Sequence, residues 1–392
     1  MRKVWGTCFS MLVLTLGVAA GPLAAQEEAG WRVVAVLQAP TPTADGWFGN
    51  SVAMDSRHVI VGEAFGDAGS VRRAGRAYVF TPMGELVCAL QSPSPRKEAQ
   101  FGGEEWANKL VAVRGDRCAV GETLARGSGE VHLFDLGGNL VTTIKAPEYA
   151  SGSSREFGNS LFMGDDALLV GSYNVGAWMF DRSGGKLAAL KGPGGVARNG
   201  FGMAVGFRGD RILVTQDHAA VDGVRDCGMA HLFDRDGTLL KSLQAPGKAQ
   251  PGLFGVSAVL GETRILVGAP ASSVNGRDEG LACLFTADGE LVKVLTAPTP
   301  AGGMGVSVAI DGGRLYVGAS GSKVDGQNGA GLVFVYDLDG AYLGSLRAPH
   351  AGAGDGFGYS IAASDGMVAV GAYGTEADGK TAAGKVYVFQ AP

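Results

Sequence analysis

The stretch FGVSAVLGETRILVGAP at residues 254–270 contains the two phrases that decide the fold of this chain. A Phe-Gly pair opens the stretch, and a Val-Gly phrase follows after a short polar turn around 261–263. An apolar segment that ends in the aromatic Phe285 comes next at 281–285, and a Leu-rich segment at 291–298 ends in Ala-Pro. Short apolar runs separated by turn residues are typical of antiparallel strands, so the unit is predicted to contain four strands.

The same unit recurs seven times. Its marks are the Phe-Gly pair, the Val-Gly phrase at a fixed interval after it, and an aromatic third strand such as Tyr78-Val79-Phe80. Met304-Gly305 and Val214-Thr215 are variants of the two phrases. A repeat of about 40–50 residues with four short strands is typical of propeller blades. We therefore predict an all-β chain that forms a seven-bladed β-propeller of four-stranded blades.

The second unit departs from this spacing. Phe101-Gly102 lies too far from Val120-Gly121 to open the unit at the usual interval. The register recovers if Ala107-Asn108 takes the place of Phe-Gly, so that Val111-Ala112 matches Val52-Ala53. On this interpretation residues 101–106 form an insertion in the loop before the first strand.

The two ends of the chain complement each other. The last unit stops at Pro392 without a fourth strand, while residues 31–40 resemble a fourth strand that has no unit before it. We predict that this N-terminal strand completes the last blade and closes the ring, since an open ring would expose strand edges.

Glycine is abundant, at 65 of 392 residues, and its positions are periodic. In all six complete hairpins between the third and fourth strands, a Gly follows the last aromatic residue of the third strand by four positions. This spacing predicts a type I turn followed by a left-handed glycine. The glycines are Gly84, Gly138, Gly184, Gly237, Gly289 and Gly340.

The first 25 residues have the pattern of a signal peptide, with basic residues, an apolar run and small residues before Gln26. We expect residues 26–392 to form one propeller domain that is exported, periplasmic or extracellular, with no membrane span after the signal is removed. The formal net charge is −5, and loss of Arg2 and Lys3 with the signal makes it −7. A mildly acidic chain without a basic cluster argues against nucleic acid as a partner. A monomer is expected.

The exported part of the chain contains four cysteines, Cys88, Cys118, Cys227 and Cys283, at different positions of the repeat. Export permits disulfides, and four cysteines allow three pairings. The alternative is that they are small buried apolar residues. Their spacing does not resemble a zinc site.

The motif as a whole resembles the FG-GAP repeat, which builds the seven-bladed propeller of integrin α chains and of many bacterial exported proteins. The resemblance covers residues 31–392, and residues 254–270 match it most closely. It implies the fold, and it favours a binding or adhesion module. Propellers, however, serve binding, scaffolding and catalysis alike.

One departure from the family concerns calcium. Several integrin blades carry an Asp-rich calcium loop between the first and second strands, whereas these hairpins are short here, as at Asp165-Asp166 and Asp311-Gly312. None offers the six to eight oxygen ligands that calcium takes. We therefore predict no metal site and no cofactor.

The variable loops indicate where a ligand binds. All length variation lies between the second and third strands and between the fourth strand and the next blade, so both loop sets emerge on one face. Exposed aromatic and arginine residues in such loops are typical of binding hot spots. The predicted binding residues are Trp47, Arg72, Arg73, Glu104, Glu105 and Trp106.

Three functions remain open at this point. The first is a binding or adhesion module for a protein or carbohydrate at the cell surface. The second is a glycan-active lyase or hydrolase with carboxylates at the channel mouth, for which Asp45, Glu156 and Asp355 are candidates. The third is a structural domain without a dedicated ligand. No nucleophile elbow or zinc-protease motif is present, so no catalytic residue is predicted.

Overall fold

The computed structural model describes residues 30–104, 109–124, 128–147, 156–193, 199–247, 250–274 and 276–392. These residues form 28 strands in seven four-stranded antiparallel sheets, and none of them is helical. The innermost strands of neighbouring sheets contact one another all the way round, so the sheets are the blades of a closed ring. The predicted all-β, seven-bladed propeller is confirmed.

Each of the first six blades uses four consecutive strands, from the channel outward. Blade 1 consists of β2 (Phe48–Met54), β3 (Val59–Glu63), β4 (Arg76–Phe80) and β5 (Leu86–Leu90). Blade 2 consists of β6 (Val111–Arg114), β7 (Arg117–Glu122), β8 (Glu130–Asp135) and β9 (Leu140–Lys145). Blade 3 consists of β10 (Phe157–Met163), β11 (Ala167–Ser172), β12 (Gly176–Asp181) and β13 (Lys186–Leu190). Blades 4 to 6 consist of β14 (Phe201–Arg208), β15 (Arg211–Gln216), β16 (Met229–Asp234) and β17 (Leu239–Leu243); β18 (Ser257–Leu260), β19 (Arg264–Ala269), β20 (Leu281–Thr286) and β21 (Leu291–Leu295); and β22 (Val308–Asp311), β23 (Arg314–Ala319), β24 (Leu332–Asp337) and β25 (Tyr342–Leu346).

Blade 7 joins the two ends of the chain. It contains β26 (Ser360–Ser364), β27 (Met367–Ala372) and β28 (Lys385–Gln390), and its outer strand is β1 (Arg32–Leu37). Strand β1 pairs antiparallel with β28, from Arg32 opposite Gln390 to Leu37 opposite Val386. The predicted closure by the N-terminal strand is therefore confirmed.

The Phe of the Phe-Gly pair anchors each blade in the core. Phe48 is fully buried and lies 5.8 Å from the ring of Tyr78 on the third strand, measured between centroids. Phe357 is buried in the same way, 5.9 Å from Tyr387. The repeated aromatic positions thus pack against each other within a blade, which explains why the Phe-Gly pair and the aromatic third strand recur together.

The Gly of the pair is needed because blades meet there at backbone distance. Gly49 has a φ of 85°, and a Cβ on Gly371 of the neighbouring blade would lie 2.1 Å from the Gly49 carbonyl oxygen. The same carbonyl accepts a hydrogen bond of 2.7 Å from the Ser360 hydroxyl, two residues after Gly358. The serine hydroxyl of one blade thus binds the Phe-Gly carbonyl of the next. This contact recurs as Ser160 to Gly202, Ser257 to Gly305, and Ser307 to Gly358.

Blade 4 makes the same contact with a different residue. Its first strand has Ala204 where five of the other blades have serine and blade 2 has Leu110, and its second strand has Thr215 where all six have glycine. The Thr215 hydroxyl accepts from the Ala204 amide at 2.9 Å and donates to the Gly255 carbonyl at 2.6 Å. The variant phrase Val214-Thr215 therefore keeps the contact between blades by moving the hydroxyl to the adjacent strand.

Blade 2 corrects one prediction. Phe101 is fully buried against Phe134 and His132, and it pairs with Glu122 as Phe48 pairs with Glu63. Gly102 donates its amide hydrogen to the Gly121 carbonyl. Phe101-Gly102 is thus the anchor of blade 2, and the proposed replacement by Ala107-Asn108 is wrong. The extra residues follow the anchor, and Val111 opposite Val120 confirms the predicted match to Val52.

The hairpins between third and fourth strands have the predicted form. All six predicted glycines have φ between 77° and 98°, and the strand register shifts by a bulge beside each turn. These hairpins and those between first and second strands lie at the same end of the strands, which we call the hairpin face. The longer loops, between second and third strands and between blades, lie on the opposite face.

Candidate binding funnel

A cavity of 590 Å³ opens at the centre of the face that carries the longer loops, and we call it the funnel. Every blade contributes at least one side chain to its wall, so the funnel surrounds the axis of the propeller. One contributor from each blade, in chain order, is Trp47, Glu104, Glu156, Met203, Leu253, Val306 and Tyr373.

One side of the funnel is aromatic. The Trp47 ring lies 4.9 Å from the Phe65 ring and 5.1 Å from the Tyr373 ring, and Tyr373 lies 4.8 Å from Tyr359. The guanidinium of Arg73 stacks on the outer face of Phe65, 4.1 Å from its centroid. Five side chains from blades 1 and 7 therefore form one continuous stack from the rim to the axis.

The backbone fixes the orientation of Trp47. Its φ is 58°, a left-handed conformation that non-glycine residues rarely adopt. The amide of Trp47 donates to the Ala382 carbonyl at 3.1 Å, and its own carbonyl accepts from the Asn50 amide. Leu253, at the same repeat position in blade 5, has a φ of 54° and also lines the funnel. Backbone strain at this position is consistent with a functional role.

The opposite side of the funnel carries three carboxyl groups, from Glu104, Glu156 and Asp217. Burial raises the pKa of Glu104 to about 7, and the nearby charge of Glu156 adds to the effect. Burial also raises the pKa of Glu156 and that of Asp217, although the charge of His218 opposes the shift at Asp217. Three acids gathered in a concave, partly desolvated site are a feature of ligand sites.

Some polar atoms of this wall lack partners. Glu104 Oε2, Asn159 Nδ2 and Asp217 Oδ1 are buried and form no hydrogen bond with the protein. Each of the three side chains is less than a tenth exposed, and each belongs to a residue that lines the funnel. A buried polar atom without a partner costs about 1–3 kcal/mol, so this wall offers two acceptors and one donor to a ligand.

Comparison with known proteins supports the fold. The FG-GAP repeat family model matches residues 31–80 and 343–389, which span the closure and the blades on either side of it. The chain is a seven-bladed β-propeller with FG-GAP repeats in these two segments. Among solved structures, the computationally designed Ika8 protein is similar, at 12% identity and a TM-score of 0.52, over 92% of this chain and 99% of that one. At this identity the similarity concerns the fold alone. No curated protein matches the chain.

The propeller brings together some of the six residues predicted to bind a ligand. Trp47 and Glu104 both line the funnel, on its aromatic and acidic sides. Arg73 is part of the aromatic stack behind Phe65, whereas Arg72 is exposed and does not line the funnel. Glu105 and Trp106 lie outside the described residues.

The three carboxylates considered for catalysis have different positions. Glu156 lines the funnel. Asp45 is exposed in the turn before Trp47 and lies outside the funnel wall. Asp355 is buried, and its carboxylate accepts from the Gly352 amide at 2.7 Å, which is the role of a turn residue.

Several funnel residues were missed, although a signal for them exists in the repeat. Most of the wall comes from three repeat positions: the residue before Phe-Gly, the residue after it, and the residue that follows the second strand. Tyr359 and Asn159 belong to the second position, and Tyr173 and Tyr373 to the third. An alignment of the seven units at these three positions identifies the missed residues, whereas a comparison of loop lengths does not.

The two buried histidines are hydrogen-bonded inside their blades. His132 Nε2 lies 2.8 Å from Glu122 Oε2, and His231 Nε2 lies 3.0 Å from Gln216 Oε1. The Tyr78 hydroxyl donates to Glu63 at the same place in blade 1. Glu130 also approaches the first pair, so that Glu122, Glu130 and His132 place ligand-type atoms within 4.8 Å of one another. This cluster lies inside blade 2 rather than in the funnel.

Cys88, Cys118, Cys227 and Cys283 are free thiols, and all except the half-buried Cys88 are buried. Burial raises the pKa of the Cys283 thiol to about 12, as expected for an inert apolar residue. Residues 1–25, the predicted signal peptide, lie outside the described part of the chain. Within the described part, no helix is long and apolar enough to cross a membrane.

Proposed function

We propose that this protein is an exported binding module that holds a glycan in the funnel. The observation that carries the proposal is the pairing of an aromatic wall with buried, unpartnered polar atoms across one concave site. Its volume of 590 Å³ lies within the range of ligand pockets, about 300–1,000 Å³.

The two walls suit the two sides of a sugar ring. The C–H face of a sugar is weakly positive and apolar, and it complements the negative face of Trp47 or Tyr373. The hydroxyl groups of the sugar donate to Glu104 and Asp217, and they accept from the free Nδ2 of Asn159. The acidic wall thus offers directional hydrogen bonds and the aromatic wall offers an apolar surface. This combination fixes the orientation of a ligand in a pocket.

The charge of the wall narrows the class of glycan. No lysine or arginine lines the funnel among the described residues, while three carboxyl groups do. An anionic sugar, such as a sulfated or uronic one, would find no lysine or arginine to pair with and would be repelled by whichever of these carboxyl groups is ionised. We therefore expect a neutral or amino sugar.

A glycan array with the mature protein tests the proposal. The informative variant is Trp47→Gly, because glycine accepts the left-handed backbone at this position and only the ring is lost. Losing an aromatic anchor costs about 2 kcal/mol or more, so affinity falls at least about thirtyfold. Arg264→Ala, on the hairpin face, is the matched control and leaves binding unchanged. A wild-type protein that binds no neutral or amino sugar, or one whose Trp47→Gly variant binds equally well, contradicts the proposal.

A second candidate function is a glycan-cleaving enzyme. The observation that favours it is the electrostatic coupling of Glu104 and Glu156, both of which have raised pKa values. A protonated carboxyl beside an ionised one is the arrangement of a general acid and its partner. Assaying hydrolysis products during the array separates the two functions. If the protein is an enzyme, the Glu104→Gln and Glu156→Gln variants lose turnover but still bind the glycan. If it is a binding module, neither the wild type nor the variants release product.

A further inference from the structure

In six blades the residue after the Phe-Gly or Met-Gly pair lies at the entry to the first strand, between the funnel and the channel below it. In blade 2, where extra residues follow Phe101-Gly102, Lys109 holds this register position, two residues before Val111 as Asn50 is two residues before Val52. In chain order this ring is Asn50, Lys109, Asn159, Met203, Val256, Val306 and Tyr359. Lys109 is the only charged member. Its place in blade 2 is fixed by pairing with Ser160 of blade 3 and by the Leu161 amide, which donates to the Lys109 carbonyl at 2.9 Å.

Lys109 reaches across the channel. Its ammonium donates to the carbonyl of Ala258 at 3.2 Å, so the side chain connects blade 2 with blade 5 on the far side of the ring. An ammonium has three N–H donors, and this is its one hydrogen bond within the described part of the chain. Burial lowers the pKa of Lys109 to about 8, and no carboxylate offsets that shift.

Below Lys109 the channel is apolar. A cavity of 140 Å³ is lined by first-strand residues of all seven blades, including Met54, Phe162 and Ile310, and Lys109 is its only charged lining residue. No other titratable side chain faces this cavity among the described residues. Lys109 is half-buried, and a lysine that faces an apolar cavity is rarely left without an anionic partner, because the desolvated charge is costly.

We propose that the lower channel binds an aliphatic monocarboxylate, with its carboxylate paired to the Lys109 ammonium and its chain along the apolar wall. The carboxylate accepts the free N–H groups and supplies the missing counter-charge. At 10–15 Å³ for each water-sized group, the cavity holds about ten non-hydrogen atoms, which is the size of octanoate. This site is independent of the funnel and of the proposed glycan.

Calorimetric titration of the mature protein with sodium octanoate tests the proposal, with 1-octanol as the matched neutral probe. We expect octanoate to bind at least about tenfold more tightly than octanol, because the charge-assisted hydrogen bonds are lost with the alcohol. Affinity for octanoate declines above pH 8 as the free ammonium loses its proton.

Two variants separate charge from shape. Lys109→Met keeps an unbranched side chain, one atom shorter, and removes its charge, so it reduces octanoate affinity to that of octanol. Ala362→Phe fills the cavity from blade 7 without touching Lys109 and abolishes binding of both probes. Melting temperatures of both variants show whether the ring remains folded. Equal affinity for octanoate and octanol in the wild type, or unchanged octanoate binding in a folded Lys109→Met protein, overturns the proposal.

Discussion

At the scale of single residues, one hydrogen bond joins most neighbouring blades. A serine hydroxyl donates to the Phe-Gly carbonyl of the next blade, and the facing glycine leaves room for it, since a Cβ on Gly171 would lie 2.2 Å from the Ser160 hydroxyl. Blade 4 exchanges both residues at once, through Ala204 and Thr215. The exchange keeps a hydroxyl that donates to the carbonyl of the next blade. It also avoids a clash between a serine hydroxyl and the Cβ of the facing residue.

This exchange predicts strong coupling between two substitutions. Thr215→Gly leaves the buried Gly255 carbonyl unpaired and should lower the free energy of unfolding by about 1–3 kcal/mol. Ala204→Ser alone places a second hydroxyl beside Thr215 and should also destabilise the protein. The double variant restores the arrangement of the other blades, so urea denaturation should give a coupling energy of about 1–3 kcal/mol. Strictly additive effects would show that the exchange is accidental.

Glu104 predicts a dependence of stability on pH. Its pKa is raised from 4.5 to about 7 in the folded protein, so between these values the folded state holds more protons than the unfolded state. The stability contributed by Glu104 is therefore present at pH 4.5 and lost as the pH rises to 7. The loss is about 3 kcal/mol at most, at 1.4 kcal/mol for each pKa unit.

Glu104→Gln removes this contribution and should flatten the decline in unfolding free energy between pH 5 and pH 8, as followed by urea denaturation. Glu63, whose pKa burial also raises to about 7, keeps part of the decline in that variant. Glu85→Gln, on the exposed surface, is the control. A slope that Glu104→Gln leaves unchanged would mean that Glu104 titrates normally in the folded protein.

At the scale of strands and loops, the sequence predicts the repeated strands and turns better than it predicts the length of an individual loop. The turn glycines and the aromatic strands are fixed by local geometry, and each was found where the repeat places it. The prediction for blade 2 was wrong because it relied on the distance between the Phe-Gly pair and the Val-Gly phrase rather than on the apolar character of Phe101. Phe101 keeps its core position, and the chain accommodates six more residues between Gly102 and Val111 than between Gly49 and Val52. An apolar anchor is harder to replace than a loop is to lengthen.

The strand that closes the ring gives a prediction at this scale. Deleting residues 31–40 removes β1 from blade 7 and exposes the edge of β28. It also removes Trp31, which packs against Tyr316 of blade 6 with their rings 5.9 Å apart. We expect a sharp fall in melting temperature and self-association through the free edge, detected by calorimetry and light scattering. A monomeric truncated protein with the wild-type melting temperature would refute the role of β1.

At the scale of the whole molecule, the two faces have different chemistry. On the hairpin face, arginines pair with acids of neighbouring blades, for example Arg114 with Asp165 and Arg264 with Asp339. Such exposed pairs contribute little individually. On the other face, the repeat positions nearest the axis form the funnel. The acidic turns between first and second strands thus have roles within the fold, and absence of calcium from them stays a prediction.

Sequence reasoning selected the face on which the funnel lies, but it named only part of the funnel wall. It selected Trp47 and Glu104 because they are conspicuous loop residues, and both line the funnel. It passed over Tyr359 and Asn159 because these lie at strand entries, where a single sequence does not reveal which side faces the axis. The ring of seven first strands determines that direction, and it arises only when the whole chain has folded.

The most direct test of the proposed function is the affinity of Trp47→Gly for whichever glycan the wild-type protein binds, measured by calorimetry beside Arg264→Ala. The funnel assignment predicts that the dissociation constant of Trp47→Gly is at least about thirtyfold higher than that of the wild type. The dissociation constant of Arg264→Ala is unchanged, and both variants have similar melting temperatures. Full affinity in Trp47→Gly together with lost affinity in Arg264→Ala would place recognition on the hairpin face and contradict the assignment.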